Sequence, residues 1–459
     1  MAQPNYNLSI SPGKKTKRTA AITIDEDVLL EILFRVSADI AALFRCAAAC
    51  KRWCALIADP SFLHRRWPEK TGHPSALVGF FIQRNRGNSP EPPAFVPAPS
   101  PSPSGPTLGG SWCRSLSWLV RGVPAGLLDG AKPLAARGGL VLVHLVGGGR
   151  SCTNSIHLAV CDVLARTCHV LPPLQCLVSA ISCALLTGSD YCSSGRHRQR
   201  QRQRTSTPGY STFFTVLTLV NSIHGQDRRC DLYSFSSAKP GWSAPKTCFG
   251  DKIWSDARKG GLWMQFGRHS QHKAVVYGGM THWVAAYLSE NTVPQKYYTF
   301  NVNIETGHIS LTELSIPADQ LTQNPSDWPM LSVGVDKTLT LFYVYEEAGI
   351  RRLDIWKHQQ DNACRESAAS SFWLRVGAFD LKSPKDKWDP RQIRVWSGEK
   401  SNTLFILDTS FPAHKLDTQT GVMEIVTGLF QRELCIGAVF MEIDWPTLFL
   451  SRLVGRHLC

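Results

Sequence analysis

From about residue 110 onward the chain is a succession of short apolar runs separated by glycine, proline, aspartate and asparagine. Each run has about 4–8 residues and is rich in β-branched or aromatic side chains, which is typical of β-strands. The clearest runs cover residues 139–146, 213–220, 274–277, 297–302, 339–345, 393–396 and 403–407. We find no long amphipathic helix in this part. Residues 110–459 are therefore expected to form an all-β domain: a sandwich, a barrel or a propeller.

A turn-like segment recurs three times and favours the propeller. The three copies are Asp162-Val-Leu-Ala-Arg166, Asn303-Ile-Glu-Thr-Gly307 and Asp417-Thr-Gln-Thr-Gly421, and each precedes another apolar run. In every copy an Asp or Asn begins the turn, and in two copies a Gly closes it between strands. With blades of about 40–50 residues, the first two copies would lie about three blades apart and the last two about two or three. The alternative is three unrelated hairpins.

Residues 22–67 have a helical pattern instead. Thr23 and Glu26 have the spacing of a capping box, and acidic residues follow at the start of the first predicted helix. Its apolar stripe consists of Leu29, Ile32, Leu33 and Val36. A second short helix is predicted around Leu43 and Phe44, with Asp39 as its cap. A third stripe consists of Cys46, Cys50, Trp53 and Ile57.

The next helix is predicted to begin at Pro60, because Asp59-Pro60 matches an N-cap followed by proline at the first helical position. About 45 residues of short helices are close to the lower size limit for an independent domain. A unit with more apolar stripe than it can cover is expected to dock on a partner, since each Leu or Ile buried there contributes about 1.5–3 kcal/mol.

The order of these residues resembles an F-box. The resemblance rests on the run from Ile24 to Val36, on Leu43-Phe-Arg-Cys46, on Cys50-Lys-Arg-Trp53 and on Asp59-Pro-Ser-Phe62, and covers about 45 residues. The family begins with a Leu-Pro pair, where this chain has Ile24-Asp25. The resemblance implies binding to a Skp-type adaptor, which joins F-box proteins to a cullin–RING ubiquitin ligase. By position, it assigns adaptor contact and the small core behind it to Ile24, Leu29, Leu30, Ile32, Leu33, Leu43, Cys50 and Trp53, without dividing the two roles.

The β-rich part is similar to the corresponding region of a large F-box family in grasses. The residues concerned are Val275-Val-Tyr-Gly-Gly-Met-Thr-His-Trp283, Tyr298-Thr-Phe-Asn-Val302 and Leu353-Asp-Ile-Trp356. This resemblance implies an architecture and an unknown protein substrate. We therefore expect an α+β multidomain protein that contains a small three-helix F-box, a Pro-rich linker and a C-terminal all-β domain, a β-propeller.

The domain limits follow from composition. Residues 1–21 are expected to be a disordered basic tail, 22–67 the F-box, 68–109 a linker that is proline-rich at 88–106, and 110–459 the β-domain. Basic residues at 14–18 and arginines at 196–204 supply most of the net charge of +14. The second cluster lies in a predicted disordered Arg/Gln insertion near 193–209 without interleaved aromatic residues, so nucleic-acid binding is not the favoured interpretation.

The 15 cysteines and the polar N-terminal residues favour free thiols in a reducing compartment, cytoplasmic or nuclear. No apolar stretch reaches the length of a membrane span. No catalytic motif, metal-ligand set or cofactor site is predicted. The first hypothesis is thus a non-catalytic substrate receptor. Two alternatives stay open: a scaffold that binds nucleic acid through its basic segments, and a hydrolase-like enzyme in the β-domain.

Overall fold

The chain divides into two compact units, residues Met1–Phe62 and Leu63–Cys459. The computed structural model describes residues 25–35, 40–68, 76–84, 91–98, 114–145, 155–176, 180–191, 213–224, 227–248, 263–266, 274–288, 294–314, 316, 329–334, 336–348, 350–360, 371–381, 394–399, 401, 403–407, 413–418, 420–426 and 435–454. The basic tail and the Arg/Gln segment of the sequence prediction lie outside these residues.

Four helices cover the described part of the first unit and its boundary: α1 (Glu26–Arg35), α2 (Ile40–Ala49), α3 (Lys51–Ile57) and α4 (Pro60–Arg66). The start predicted for α4 is confirmed. Asp59 Oδ1 accepts hydrogen bonds from the backbone N–H groups of Ser61 (2.7 Å) and Phe62 (3.4 Å), and Pro60 takes the first helical position. The hydrogen bond from the Ser61 side chain lowers the pKa of Asp59.

The single stripe predicted from Cys46 to Ile57 is wrong, because the helix breaks at Cys50. This residue has an extended backbone (φ −158°, ψ 159°) and caps α3, its Sγ accepting a hydrogen bond from Trp53 N–H at 3.4 Å. Cys46 therefore belongs to α2, and Cys54 takes the buried position in α3. The predicted caps Thr23 and Asp39 lie outside the described residues.

The described residues of the second unit contain six antiparallel sheets that form blades, five with four strands and one with five, and a separate two-stranded pair. The outer strands of blade 1 are β1 (Leu77–Arg84), β2 (Ala94–Pro97) and β3 (Arg114–Ser115), followed by a short helix α5 (Leu116–Leu119). Blade 2 contains β4 (Lys132–Arg137), β5 (Leu140–His144), β7 (Leu158–Asp162) and β8 (Thr167–Val170), while β6 (Ser155–Ile156) pairs separately with β9 (Leu174–Gln175). Blade 3 contains β10 (Ala180–Thr187), β11 (Phe214–His224), β12 (Asp227–Ser236) and β13 (Lys246–Thr247).

In blade 4 two short strands, β14 (Trp263–Phe266) and β15 (Val275–Tyr277), pair with the same strand β16 (Met280–Leu288), followed by β17 (Pro294–Asn303) and β18 (Ile309–Leu314). Blade 5 contains β19 (Met330–Val333), β20 (Leu339–Glu347), β21 (Ile350–Gln360) and β22 (Ser371–Leu381). Blade 6 contains β23 (Arg394–Ser397), β24 (Thr403–Leu407), β25 (Ala413–Asp417) and β26 (Met423–Val426). The last strand, β27 (Cys435–Glu442), precedes α6 (Trp445–Val454).

Strand β27 closes the ring. It pairs antiparallel with β1, from Leu77 opposite Glu442 to Arg84 opposite Cys435, and so completes blade 1 as its innermost strand. It also contacts β4 of blade 2. The protein is thus a six-bladed β-propeller whose first blade combines early and late parts of the sequence, and the predicted propeller is confirmed.

The core lies between neighbouring blades and follows the two-residue period of the strands. On β16, Trp283 and Ala285 pack in a cluster with blade 3, whereas Val284 and Ala286 pack in a cluster with blade 5. All seven apolar runs quoted from the sequence overlap described strands. Alternate residues of a strand therefore pack against the two neighbouring blades.

The recurrent turns join the third and fourth strands of blades 2, 4 and 6. Asn303 Oδ1 accepts hydrogen bonds from the N–H groups of Glu305 (3.0 Å) and Thr306 (2.9 Å), and Gly307 follows with φ +64°. Arg166 and Gly421 take the same left-handed conformation in the other two turns. The predicted equivalence is confirmed. The expected blade length is too short, because long connections such as the one between β10 and β11 add residues to a blade. Successive copies of the turn therefore lie only two blades apart.

The structure differs from the sequence prediction for residues 68–109. The sequence predicts a linker there, yet the interval contributes β1 and β2 to blade 1. The proline-rich composition hid β2, whose register nevertheless pairs Ala94 with Ile82 and Val96 with Phe80. Trp67 also belongs to the propeller unit, where its ring stacks on Phe449 of α6 at 5.6 Å.

Candidate functional site

Helix α1 carries two rows of apolar side chains with different exposure. Leu29 and Leu33 are buried, with 4% and 1% of their surface exposed. Val28 and Ile32 lie one position earlier in each turn and are 51% and 42% exposed. Residues four apart share a helix face, so Val28 and Ile32 form an uncovered apolar row, called here the α1 row.

The structure separates the predicted adaptor-contact residues into groups. Leu29, Leu33 and Leu43 are buried, Ile32 and Cys50 are exposed, Leu30 and Trp53 are half-buried, and Ile24 lies outside the described residues. Val28 is not among the predicted adaptor-contact residues. The signal that could have identified it is its position four residues before Ile32.

In the propeller unit, a polar network joins the ends of the innermost strands. Arg137, the last residue of β4, donates to Asp190 through Nη2 (2.7 Å) and Nε (3.2 Å) and to Glu399 through Nη1 (2.5 Å). Asp190 also accepts bonds from the N–H and hydroxyl of Thr187. Burial disfavours the charged guanidinium, yet the two carboxylates raise the pKa of Arg137 above its ordinary value. This network joins blades 2, 3 and 6.

Glu442 extends the network to blade 1. This residue ends β27, and its carboxylate accepts hydrogen bonds from the N–H groups of Glu399 (2.7 Å) and Ser401 (2.9 Å). Gly398 makes this approach possible, because a Cβ atom there would overlap the Glu442 carboxylate and the Ser401 hydroxyl. The ends of β4, β10, β23 and β27 therefore meet on one side of the ring, called here the AB face because blades 2 to 6 turn there from their first to their second strand.

A cleft of about 420 Å³ opens beside this network, between blades 5 and 6. Ser332 at the end of β19 and Ser397 at the end of β23 bridge the two blades, with their hydroxyl oxygens 2.6 Å apart. The described lining residues are Ser332, Val333, Gly334, Asp336, Thr340, Phe342, Ile355, Lys357, Val376, Gly377, Phe379, Ser397, Gly398 and Thr418. The cleft is thus lined by hydroxyl and charged side chains together with a similar number of apolar ones.

One ion pair lies at the cleft. Lys357 Nζ is 2.5 Å from Asp336 Oδ2, and both side chains are more than one third exposed. Burial opposes ionisation of Asp336, but hydrogen bonds from Lys357 and Thr338 hold its pKa below the ordinary value. The described lining includes no histidine or cysteine. Its donors, acceptors and aromatic rings suit the binding of a polypeptide segment.

A second exposed surface lies beside β8, the outer strand of blade 2. Trp118 is 52% exposed, and the guanidinium of Arg114 lies 3.9 Å from the centre of its ring. Arg166 lies 5.6 Å from the same ring and donates to the carbonyl oxygens of Trp118 and Leu119, both at 3.3 Å. This arrangement is a cation–π cluster with two positive charges.

Within the described residues, no group of three or more His, Cys, Asp or Glu side chains is placed to hold a metal ion. None of the described helices has both the length and the apolar character needed to cross a bilayer.

No family model matches the sequence, and no curated protein matches it. Solved structures match it at low identity. A protein from Lactobacillus plantarum has a TM-score of 0.39 and 10% identity, over 76% of this chain and 80% of the other. An α-L-arabinanase from Penicillium chrysogenum has a TM-score of 0.36 and 12% identity, over 72% and 93%. The β-propeller domain of the trilobed protease from Pyrococcus furiosus has a TM-score of 0.28 and 9% identity, over 67% and 83%. At these TM-scores the likenesses say nothing about activity or ligand.

Proposed function

We propose that the chain is a non-catalytic substrate-receptor subunit of a Skp–cullin–F-box ubiquitin ligase, working in the cytoplasm or the nucleus. The helical unit binds a Skp-type adaptor, and the propeller binds a protein substrate. Ubiquitin transfer takes place on other subunits of the cullin–RING complex, and the receptor accelerates it by holding a substrate lysine at high effective concentration.

The α1 row is the observation that carries the proposal. Leu29 and Leu33 already supply the buried side of α1, so Val28 and Ile32 are available to a partner. A row of this kind inside a segment that resembles an F-box fits adaptor binding. In this proposal the buried Leu29 and Leu33 form the core behind the contact, and the exposed α1 row makes the contact itself.

The adaptor test uses point substitutions in the full chain. Deleting residues 22–67 would also remove Trp67, which packs within the propeller unit. Ile32→Ala should weaken binding to a co-expressed Skp-type adaptor about tenfold, because part of an Ile burial worth about 1.5–3 kcal/mol is lost. Ile425→Ala is the matched control, since Ile425 is 61% exposed in the propeller.

A second matched pair strengthens this test. Val28→Ala should weaken the adaptor complex, whereas Val170→Ala should leave it unchanged, although both valines are about half exposed, at 51% and 54%. Binding is measured by titration calorimetry on the purified proteins. Equal affinity for the helix variants and the propeller controls would refute adaptor binding through the α1 row.

The AB-face cleft is the proposed substrate surface. Val376 lines the cleft and is 47% exposed. Val376→Glu should abolish recovery of the substrate from cells while leaving the adaptor bound. Val422→Glu is the control, because Val422 is 54% exposed and is not among the described lining residues. Substrate recovery that is unaffected by Val376→Glu would place the substrate elsewhere on the propeller.

The nucleic-acid alternative rests on residues 1–20 and 195–205, which lie outside the described residues, and stays a prediction. Steep loss of nucleic-acid binding with salt, abolished by removing both segments, would support it. The enzyme alternative also stays a prediction. It requires a nucleophile hydrogen-bonded to a base beside a pocket.

A further inference from the structure

Two cysteines face each other across the outer strand pair of blade 2. Cys161 on β7 is directly opposite Cys168 on β8, and their sulfur atoms are 3.3 Å apart. β8 ends its sheet, so the pair lies at the periphery of the ring. Both residues are free thiols.

The backbone geometry at this pair suits a disulfide. Leu171 N–H donates to Leu158 O at 2.9 Å, which fixes that opposite pair as hydrogen-bonded. Hydrogen-bonded and non-hydrogen-bonded pairs alternate along antiparallel strands, so Cys161 and Cys168 form a non-hydrogen-bonded pair. Such pairs have Cα atoms about 4.5 Å apart, within the range that a disulfide spans.

The two thiols are unequal. Cys161 has no exposed surface, whereas Cys168 is partly exposed. The Cys161 S–H donates towards Cys168 Sγ, which lowers the pKa of Cys168; the same contact and burial raise the pKa of Cys161. Cys168 is thus the accessible sulfur with thiolate character, and Cys161 is positioned behind it.

We propose that Cys168 and Cys161 form a peroxide-modification site, in which Cys168 is oxidised first and Cys161 then closes a cross-strand disulfide. The Cys168 thiolate attacks one peroxide oxygen, the O–O bond breaks, and the other oxygen takes a proton and leaves as water. The resulting sulfenic acid is attacked by Cys161 Sγ, and its hydroxyl leaves as water with the Cys161 proton. Two electrons pass from the sulfurs to the peroxide, so two thiols and one hydrogen peroxide give one disulfide and two waters.

Blade 3 supplies an internal control. Cys230 on β12 and Cys248, which follows β13, are also opposite each other, since Cys248 N–H donates to Cys230 O at 2.9 Å. That bond makes them a hydrogen-bonded pair, in which Cα atoms lie farther apart. Both side chains are buried, with 2% and 9% exposed, and burial raises the pKa of Cys230. This pair should therefore resist peroxide.

The experiment treats the reduced full-length protein with increasing hydrogen peroxide, blocks remaining thiols and digests with trypsin. Cleavage after Arg166 separates the two cysteines, so their disulfide links two peptides, and fragmentation identifies the bonded residues. We expect the 161–168 disulfide at doses that leave Cys230 and Cys248 reduced, and its loss after dithiothreitol. Oxidation of Cys230 or Cys248 before Cys168, or pairing of Cys168 with another cysteine, overturns the proposal.

Two variants test the order of the steps. Cys161→Ser should leave Cys168 as a sulfenic acid that dimedone traps, and Cys168→Ser should leave the buried Cys161 unreactive. Cys230→Ser is the control and should form the 161–168 disulfide as the native protein does. Absence of a dimedone adduct on Cys168 in Cys161→Ser, or oxidation of Cys161 in Cys168→Ser, contradicts the proposed sequence.

Discussion

Arg137 is the residue whose loss should weaken ring closure most clearly. It donates three side-chain hydrogen bonds, two to Asp190 in blade 3 and one to Glu399 in blade 6. The perturbation is Arg137→Met, which keeps an apolar stem in β4 and removes the guanidinium. Asp190, only 7% exposed, then loses its cation while keeping its bonds to Thr187.

The magnitude follows from burial. Removing one partner of a fully buried ion pair costs about 3–5 kcal/mol, because a charge is left uncompensated. The Arg137 side chain is 21% exposed and Glu399 is 34% exposed, so water screens part of the loss. Asp190 also retains two hydrogen bonds. We therefore expect Arg137→Met to lower the free energy of unfolding of the propeller by about 2–3 kcal/mol.

The assay is equilibrium unfolding in urea, monitored by tryptophan fluorescence. The readout is the urea concentration at the midpoint, and an unchanged dependence of the unfolding free energy on urea shows that only stability has changed. Lys296→Met is the control, because Lys296 forms an exposed ion pair with Glu313 at 2.9 Å, and it should not move the midpoint. A double-mutant cycle with Glu399→Gln should give a coupling energy of about 1 kcal/mol between blades 2 and 6. An Arg137→Met midpoint equal to that of Lys296→Met would refute the role of the network.

Three further predictions concern the same unit. Burial, with positive charge on Lys132 and His157, lowers the pKa of His144 to about 4. The His144 imidazole binds a proton near pH 6.5 in the unfolded chain and only near pH 4 in the folded chain, so the free energy of unfolding should fall by about 3 kcal/mol as the pH drops between those values. Urea titrations at pH 7, 5 and 4 measure this fall, which should be smaller in His144→Asn. Gly398→Ala should lower the thermal midpoint, because the added methyl group displaces the Glu442 carboxylate from the N–H groups of residues 399 and 401. The expected loss in the free energy of unfolding is about 1–3 kcal/mol. Asn303→Ala should cost about 1 kcal/mol in the same measurement, because two turn N–H groups lose their acceptor.

The sequence was most informative where structure depends on neighbours along the chain. Strand β17 was visible because its apolar alternation is local, and the turn after Asn303 because Asx turns are set by a few adjacent residues. The Asp59-Pro60 start of α4 was visible for the same reason. Cys50 was misassigned because helical spacing of side chains does not reveal a backbone break, and only the cap geometry distinguishes two helices from one.

Features that join distant residues could not be predicted. Arg137 and Glu399 are 262 residues apart, and either alone reads as a surface charge. Likewise, the proline-rich surroundings of β2 give no strand signal in the sequence. Its partner β1 pairs on the other side with β27, which comes from the far end of the sequence, so the place of both strands in a sheet is not a local property. Exposure on α1 also depends on packing, so the sequence supplied the apolar residues without separating Ile32 from Leu33.

Ring closure connects the candidate substrate surface to the stability of the whole propeller. Blade 1 is completed only when β27 pairs with β1, a contact between residues at opposite ends of the unit's sequence, and such long-range pairing is slow to form. Glu442, the last residue of β27, then fixes the backbone of residues 399 and 401, and the neighbouring Gly398 and Ser397 form one wall of the cleft. The cleft therefore reaches its final shape only in a closed ring. The proposed function then predicts that a variant with an open ring binds the adaptor through its helices and fails to recruit substrate.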